Sequence, residues 1–274
     1  MSRTLLNVMA VIYAALMLTG CGTRNDGLRS IHYADSTECV RLTVDARLPR
    51  ARKGPDAVIR DTLLAELVRQ FENFGMREEP HRLQPYTGKD RYGDYVSFYA
   101  GQVLTYLDSI SSEDREERLQ YTSFAPMWEY EASINKVAVG GKYIVFEQSN
   151  YIYMGGAHGG VSGGGSMTFR KSDGKLLRSV IDRGEWLSMQ TLLHNGLKTY
   201  FEECGDEQGM EYLFVDADSI PLPVWEPSLC DSGVVFVYQQ YEIAPYAVGM
   251  PTFTVPYEQI IEFLTPDALE LTER

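Results

Sequence analysis

Trp128-Glu129-Tyr130-Glu131-Ala132-Ser133-Ile134-Asn135, followed at Tyr143-Ile144-Val145-Phe146 by a second apolar run, is the stretch on which the fold reading turns. Trp128, Tyr130, Ala132 and Ile134 alternate with polar neighbours, a period of two that puts one face of a strand in a core and the other in water. Gly140-Gly141 between the runs supplies a turn, so residues 127–153 are predicted as a hairpin with a two-residue loop.

Working outward toward the N-terminus, a strand is expected over Thr37 to Leu48. Gly54-Pro55-Asp56 then opens a helix in which Leu64, Leu67, Val68, Phe71 and Phe74 recur at helical spacing, and Gly75 stops it. Tyr92 to Ile110 predicts a second helix, ending before the charged Ser111 to Arg118 stretch. On the other side, seven of the eleven residues from Gly155 to Gly165 are glycine. Ser172-Asp173-Gly174 marks a turn joining Met167-Thr168-Phe169 to Leu176-Leu177, and Glu185 to Cys204 has the pattern of an amphipathic helix. Val234 to Tyr241 and Thr252 to Val255 read as strands, and Pro256 starts a last helix. Without internal repeats or regular βαβ alternation, the expected class is α+β, with mainly antiparallel sheets packed against amphipathic helices in two subregions.

Near its N-terminus the chain carries Arg3, then a hydrophobic run from Leu5 to Leu18 that ends in Leu18-Thr19-Gly20-Cys21. This pattern resembles the lipobox of bacterial lipoproteins, which implies removal of residues 1–20 and lipidation (palmitate) of Cys21. The 14 residues from Leu5 to Leu18, at ~1.5 Å rise each, are too short for a ~30 Å hydrocarbon core. Gly22 to Ser36 is polar and aperiodic, so residues 21–36 are expected to be a flexible tether. The implied location is the bacterial cell envelope, extracytoplasmic and lipid-anchored.

A hydrophobic content of 44 % with 12 % aromatic residues is enough to build cores, so a folded protein is expected rather than a disordered one. The net charge of −13 repels nucleic acid and favours cationic partners. Cys39, Cys204 and Cys230 remain after Cys21. A Cys204–Cys230 disulfide would close the polar Gly205–Leu229 stretch, and three reduced thiols are the alternative. None of the cysteines is at CxxC spacing, and His32, His81, His158 and His194 are scattered, so no metal site and no cofactor are expected. Asp216-Ala217-Asp218 lacks the glycine and the further oxygen ligands of a calcium loop.

Gly160-Val161-Ser162-Gly163-Gly164 fits the G-x-S-x-G nucleophile elbow, but the elbow needs a strand-turn-helix context that the following Met167-Thr168-Phe169 does not offer. His158, with glycines on both sides, is the single side chain best placed for contact with a ligand.

Tyr153-Met154-Gly155-Gly156-Ala157-His158 ends one strand and Tyr241-Glu242-Ile243-Ala244-Pro245-Tyr246-Ala247 ends another, followed by Gly249 and Thr254-Val255-Pro256-Tyr257-Glu258. In this order and separation they resemble the RsiV-like extracytoplasmic domain family, found in a lysozyme-sensing anti-sigma factor, in a peptidoglycan deacetylase's accessory region and in lipoproteins. The resemblance covers 150–264, with 37–149 as the companion α/β region and 265–274 as a C-terminal tail. It implies a non-enzymatic binding role, with Tyr153, His158, Glu242 and Tyr246 near the ligand. The partner would be a cationic protein such as lysozyme, or a peptidoglycan fragment. The alternative function is an envelope hydrolase or esterase acting on glycan or lipid from the glycine-rich loop. The alternative role for both motifs is structural, closing the sheet through tyrosines and a glutamate bound to backbone N–H groups.

Overall fold

The computed structural model describes residues 26–73, 82–121, 125–156, 159–206 and 208–272. The chain is α+β. Strands β1 (Leu28–Ser36), β2 (Val40–Pro49), β3 (Trp128–Val139), β4 (Tyr143–Tyr153) and β5 (Val161–Arg170) form a sheet in the order β1-β2-β3-β4-β5. β2 and β3 are parallel, from Val40↔Trp128 to Ala46↔Ile134, and the other neighbours are antiparallel. A parallel pair needs a long crossover. Here it holds helices α1 (Pro55–Glu72) and α2 (Gly93–Tyr121), which cover one face of the sheet.

The second unit is a sheet of β6 (Ser228–Leu229), β7 (Gly233–Val237) and β8 (Thr252–Pro256). Around it lie α3 (Gln190–Glu203), α4 (Tyr257–Ile260) and α5 (Pro266–Leu271). α3 lies directly on β8: a Cβ at Gly196 would fall 2.2 Å from the Phe253 ring, so the approach requires glycine there.

The predicted hairpin forms, and the helix face of β3 buries Trp128, Tyr130, Ala132 and Ile134 as the alternation requires. Its turn is closed by the Gly140 N–H donating to the Tyr143 carbonyl (3.0 Å), which leaves Gly141 and Lys142 at the tip. β4 serves two cores because successive side chains leave opposite faces of a strand. Phe146 packs under α1 and α2, whereas Tyr143 and Val145 pack with Leu193, Phe236 and Ile260 of the second unit.

The expected division at 149/150 is therefore corrected: it falls inside β4. The change of core comes after β5, between Phe169 and Leu177. The tether over 21–36 is corrected for Leu28–Ser36, which is strand β1, paired along its length with β2 from Leu28↔Pro49 to Ser36↔Arg41. Its buried Leu28 and Ile31 are three residues apart, which hides the strand period. The tail at 265–274 is corrected for Pro266–Leu271, a helix whose N-cap Thr265 accepts the Ala268 N–H and which buries Ala268 and Leu271. α2 runs through the charged Ser111–Arg118 stretch to Tyr121, because an exposed helical turn needs no apolar face and Arg118 pairs with Asp114 at i,i+4 (2.6 Å). The Gly75 stop lies outside the described residues. Among those described, no helix is long and apolar enough to cross a membrane.

Candidate functional site

β5 is the last strand of its sheet, and an open strand edge invites unwanted pairing. Alternate residues of β5 turn their backbone groups away from β4, and the segment after β7 meets them with side chains. Tyr246 Oη donates to the Gly160 carbonyl (2.7 Å), and Gln240 Oε1 accepts the Ser162 N–H (2.7 Å). Gln239 bonds both sides of Gly164, accepting its N–H (2.9 Å) and donating to its carbonyl (2.8 Å). Further along, Thr168 accepts the Leu177 N–H (2.8 Å) and Arg170 donates to the Lys175 carbonyl (2.9 Å). Three side chains thus take the place of a sixth strand. For this reason β7 stops at Val237 rather than at the expected Tyr241.

Gly160, just before β5, and Gly164 and Gly165 within it leave room for neighbouring groups. A Cβ at Gly160 would meet the Tyr151 ring at 2.3 Å and one at Gly165 the Trp225 ring at 2.6 Å. At Gly164, with φ +155°, it would meet the Gln148 carbonyl oxygen at 2.3 Å. Ser162 lies within β5 opposite Tyr151, with no strand-turn-helix elbow around it, so the serine-nucleophile geometry is not made.

Glu242 ties the turn together: its Oε2 accepts the Gln239 N–H (2.7 Å) and its Oε1 the Val224 N–H (2.6 Å). The buried Tyr238 phenol beside it donates to the Pro221 carbonyl (2.8 Å), and burial, helped by the Glu242 charge, holds its pKa well above the ordinary range. Tyr241 has φ 65°, the one positive φ of a non-glycine residue among the described residues, and its ring packs on Tyr246 at 5.8 Å. Phe214, whose N–H donates to the Ile243 carbonyl (2.8 Å), belongs to the same loop cluster. Three apolar side chains are left in water there: Phe214 is 62 % exposed, Val224 77 % and Tyr241 53 %.

Of the residues expected at the site, Glu242 and Tyr246 share this turn, and both have structural bonds. Tyr153 ends β4 opposite Glu129, half-buried. Tyr151, two residues earlier on the same face, has its phenol raised by burial first and by the Glu129 charge next. His158 and Cys21 lie outside the described residues. Gln239, Gln240, Phe214 and Val224 carry no motif and were not expected. Two adjacent glutamines directly after an apolar strand were the one available signal.

The Cys204–Cys230 disulfide is corrected: Cys39, Cys204 and Cys230 are free thiols. α3 passes Phe253 at Gly196, reaches the Val248 carbonyl through Tyr200 Oη (2.7 Å) and ends at Cys204, toward the Thr252 end of β8. Cys230 sits at the other end, bonded to Gly233, which faces Pro256. Five strand residues separate the two ends, at ~3.3 Å each, beyond the ~7 Å Cα limit of a disulfide. Among the described residues no group of three or more His, Cys, Asp or Glu side chains is placed to hold a metal ion. An open groove of about 500 Å³ lies between Lys136–Val139 and Cys230–Ser232, away from the 239–246 turn.

These features define an α+β protein in which a C-terminal hairpin and turn close the edge of a larger sheet. A family model described as a protein of unknown function, DUF3298, matches residues 228–258, from β6 into α4 and including the whole turn. Two solved structures share the fold. One is a DUF3298 family protein from Pseudomonas aeruginosa PAO1, with a TM-score of 0.57 at 16 % identity, over 89 % of this chain and 97 % of that one. The other is a member of the DUF3298 family from Bacteroides fragilis NCTC 9343, with a TM-score of 0.65 at 16 % identity, over 92 % and 100 %. No curated protein matches the chain.

Proposed function

We propose that this chain is a membrane-anchored, non-enzymatic binding protein of the bacterial cell envelope, held by a lipid on Cys21. In this reading it recognises a cationic protein, lysozyme-like in the first instance, through the loops around the 239–246 turn. The observation that carries the reading is the exposure of Phe214, Val224 and Tyr241 on loops fixed by Glu242 and the Ile243 carbonyl. Apolar side chains on pinned backbone lose little entropy when a partner covers them, which is the character of an interface anchor. The sum of charges, −13, suits a cationic partner and speeds the encounter.

The test is binding of the full chain to lysozyme by biolayer interferometry. Association slows as salt rises, while Val224→Asp and Tyr241→Gly shorten the complex lifetime by about five- to thirtyfold each, corresponding to ~1–2 kcal/mol. Unchanged lifetimes in both folded variants remove this surface from the site. Absence of any binding removes the lysozyme-like partner. The anchor is tested separately: Cys21→Ala loses lipid labelling and membrane fractionation.

A further inference from the structure

An acidic chain of net charge −13 should be repelled by an anionic bilayer. Yet between Asp45 and Asp56 it carries Arg47, Arg50, Arg52 and Lys53 with no carboxylate. Arg47 lies in β2, whereas Arg50, Arg52 and Lys53 lie in the β2–α1 loop, which is held rigid from below. Tyr92 Oη donates to the Pro49 carbonyl (3.0 Å) and accepts the Ala51 N–H (3.2 Å), and the buried Arg60 guanidinium donates to the Ala51 carbonyl. Arg47 is neutralised by Asp26 (2.5 Å). Arg50, Arg52 and Lys53 are exposed, and no ion pair engages them among the described residues. The nearest acid in sequence is Asp56, in the first turn of α1.

Gly27, near the N-terminal end of the described residues, lies at the same corner. The Arg50 N–H donates to the Gly27 carbonyl (2.7 Å), so the basic loop is bonded to the second described residue. From Cys21 to Asp26 there are five peptide steps, at most ~3.3–3.6 Å each, whatever their conformation. A lipid at Cys21 therefore keeps this corner within about 20 Å of the head groups, one to two Debye lengths away.

We propose that Arg50, Arg52 and Lys53 form a second membrane contact that docks the N-terminal corner on anionic phospholipid head groups. The proposal rests on the anchored reading above for its geometry. Docking this way turns the acidic remainder of the molecule away from the bilayer.

The experiment compares partitioning of the full chain onto vesicles of phosphatidylcholine with 30 % phosphatidylglycerol and onto phosphatidylcholine alone. Any lipid or apolar leader contributes to both, so the ratio isolates the patch. Each basic residue near such a surface is worth about a fivefold factor. The expected ratio is about tenfold or more in 50 mM salt, falling toward unity in 0.5 M. It drops to unity or below when Arg50→Gln, Arg52→Gln and Lys53→Gln are combined in a chain with unchanged thermal midpoint. A wild-type ratio near unity, or a ratio kept by the triple variant, overturns the proposal. Loss of the preference in millimolar inorganic phosphate at constant ionic strength also overturns it, because that is the mark of an anion pocket rather than a lipid surface. If Cys21→Ala keeps its lipid label, the anchored reading fails while the vesicle ratio still decides the patch.

Discussion

At the scale of single residues, Tyr241 and Gly164 set the tolerance of the site to change. Tyr241 holds a left-handed φ of 65°, which costs an L-residue about 1–2 kcal/mol. Tyr241→Gly removes that strain along with the ring contact to Tyr246, so the urea midpoint is expected to move little or upward. Tyr241→Val, β-branched, lowers stability by about 1–2 kcal/mol. A Gly164→Ala chain meets the Gln148 carbonyl at 2.3 Å with no flexible atom to yield, and a loss of about 3 kcal/mol or more is expected. Gly156, with φ +133°, has nothing within 4 Å of a Cβ, so Gly156→Ala costs only its backbone term, about 1–2 kcal/mol. Equal losses in the two alanine variants, read from denaturant midpoints, would refute the packing account of the glycine-rich strand.

At the scale of elements, the closure of β5 explains why the tyrosine-glutamate motif is present. Gln239→Ala with Gln240→Ala frees the Ser162 and Gly164 N–H groups, and their amide exchange is expected to quicken about tenfold or more while the β3–β4 amides stay protected. The freed edge also becomes a template for pairing, so the double variant should oligomerise at concentrations where the wild type does not; light scattering reads this. Tyr246→Phe removes one 2.7 Å bond and costs about 1 kcal/mol. The motif was visible in the residues, but its bonds were not. A glutamate whose two oxygens serve two backbone N–H groups looks the same in sequence as one that contacts a partner.

At the scale of the whole molecule, the two cores share β4, so they should unfold together. A fragment starting at residue 150 keeps β5 but only Asn150–Tyr153 of β4, and is expected to show no cooperative transition by circular dichroism. Alkaline pH gives a second global test. Burial above all raises the phenols of Tyr130, Tyr200 and Tyr238, and Tyr95 to about 12. In the unfolded chain they ionise near ~10. The folded state then holds more protons than the unfolded one above pH ~10, and stability falls as pH rises. Their stabilisation is complete below pH ~10 and is lost toward and beyond pH ~12. Absorbance at 295 nm should show these phenols ionising only with the unfolding transition. Gradual ionisation of all tyrosines before unfolding would contradict their burial.

By itself the sequence determined the α+β class, the β3–β4 hairpin, the wet and dry faces of β3 and the amphipathic faces of the long helices. These follow from periodicity, a local property that burial enforces residue by residue. Only the tertiary structure decided that Leu28–Ser36 is a strand, that β4 serves two cores, that Cys204 and Cys230 end at opposite ends of β8, and that Gln239, Gln240 and Tyr246 close an open edge. Each of these depends on which segments meet across long separations. A strand edge needs its backbone groups paired but does not specify the residue that pairs them, so no local pattern records the partner.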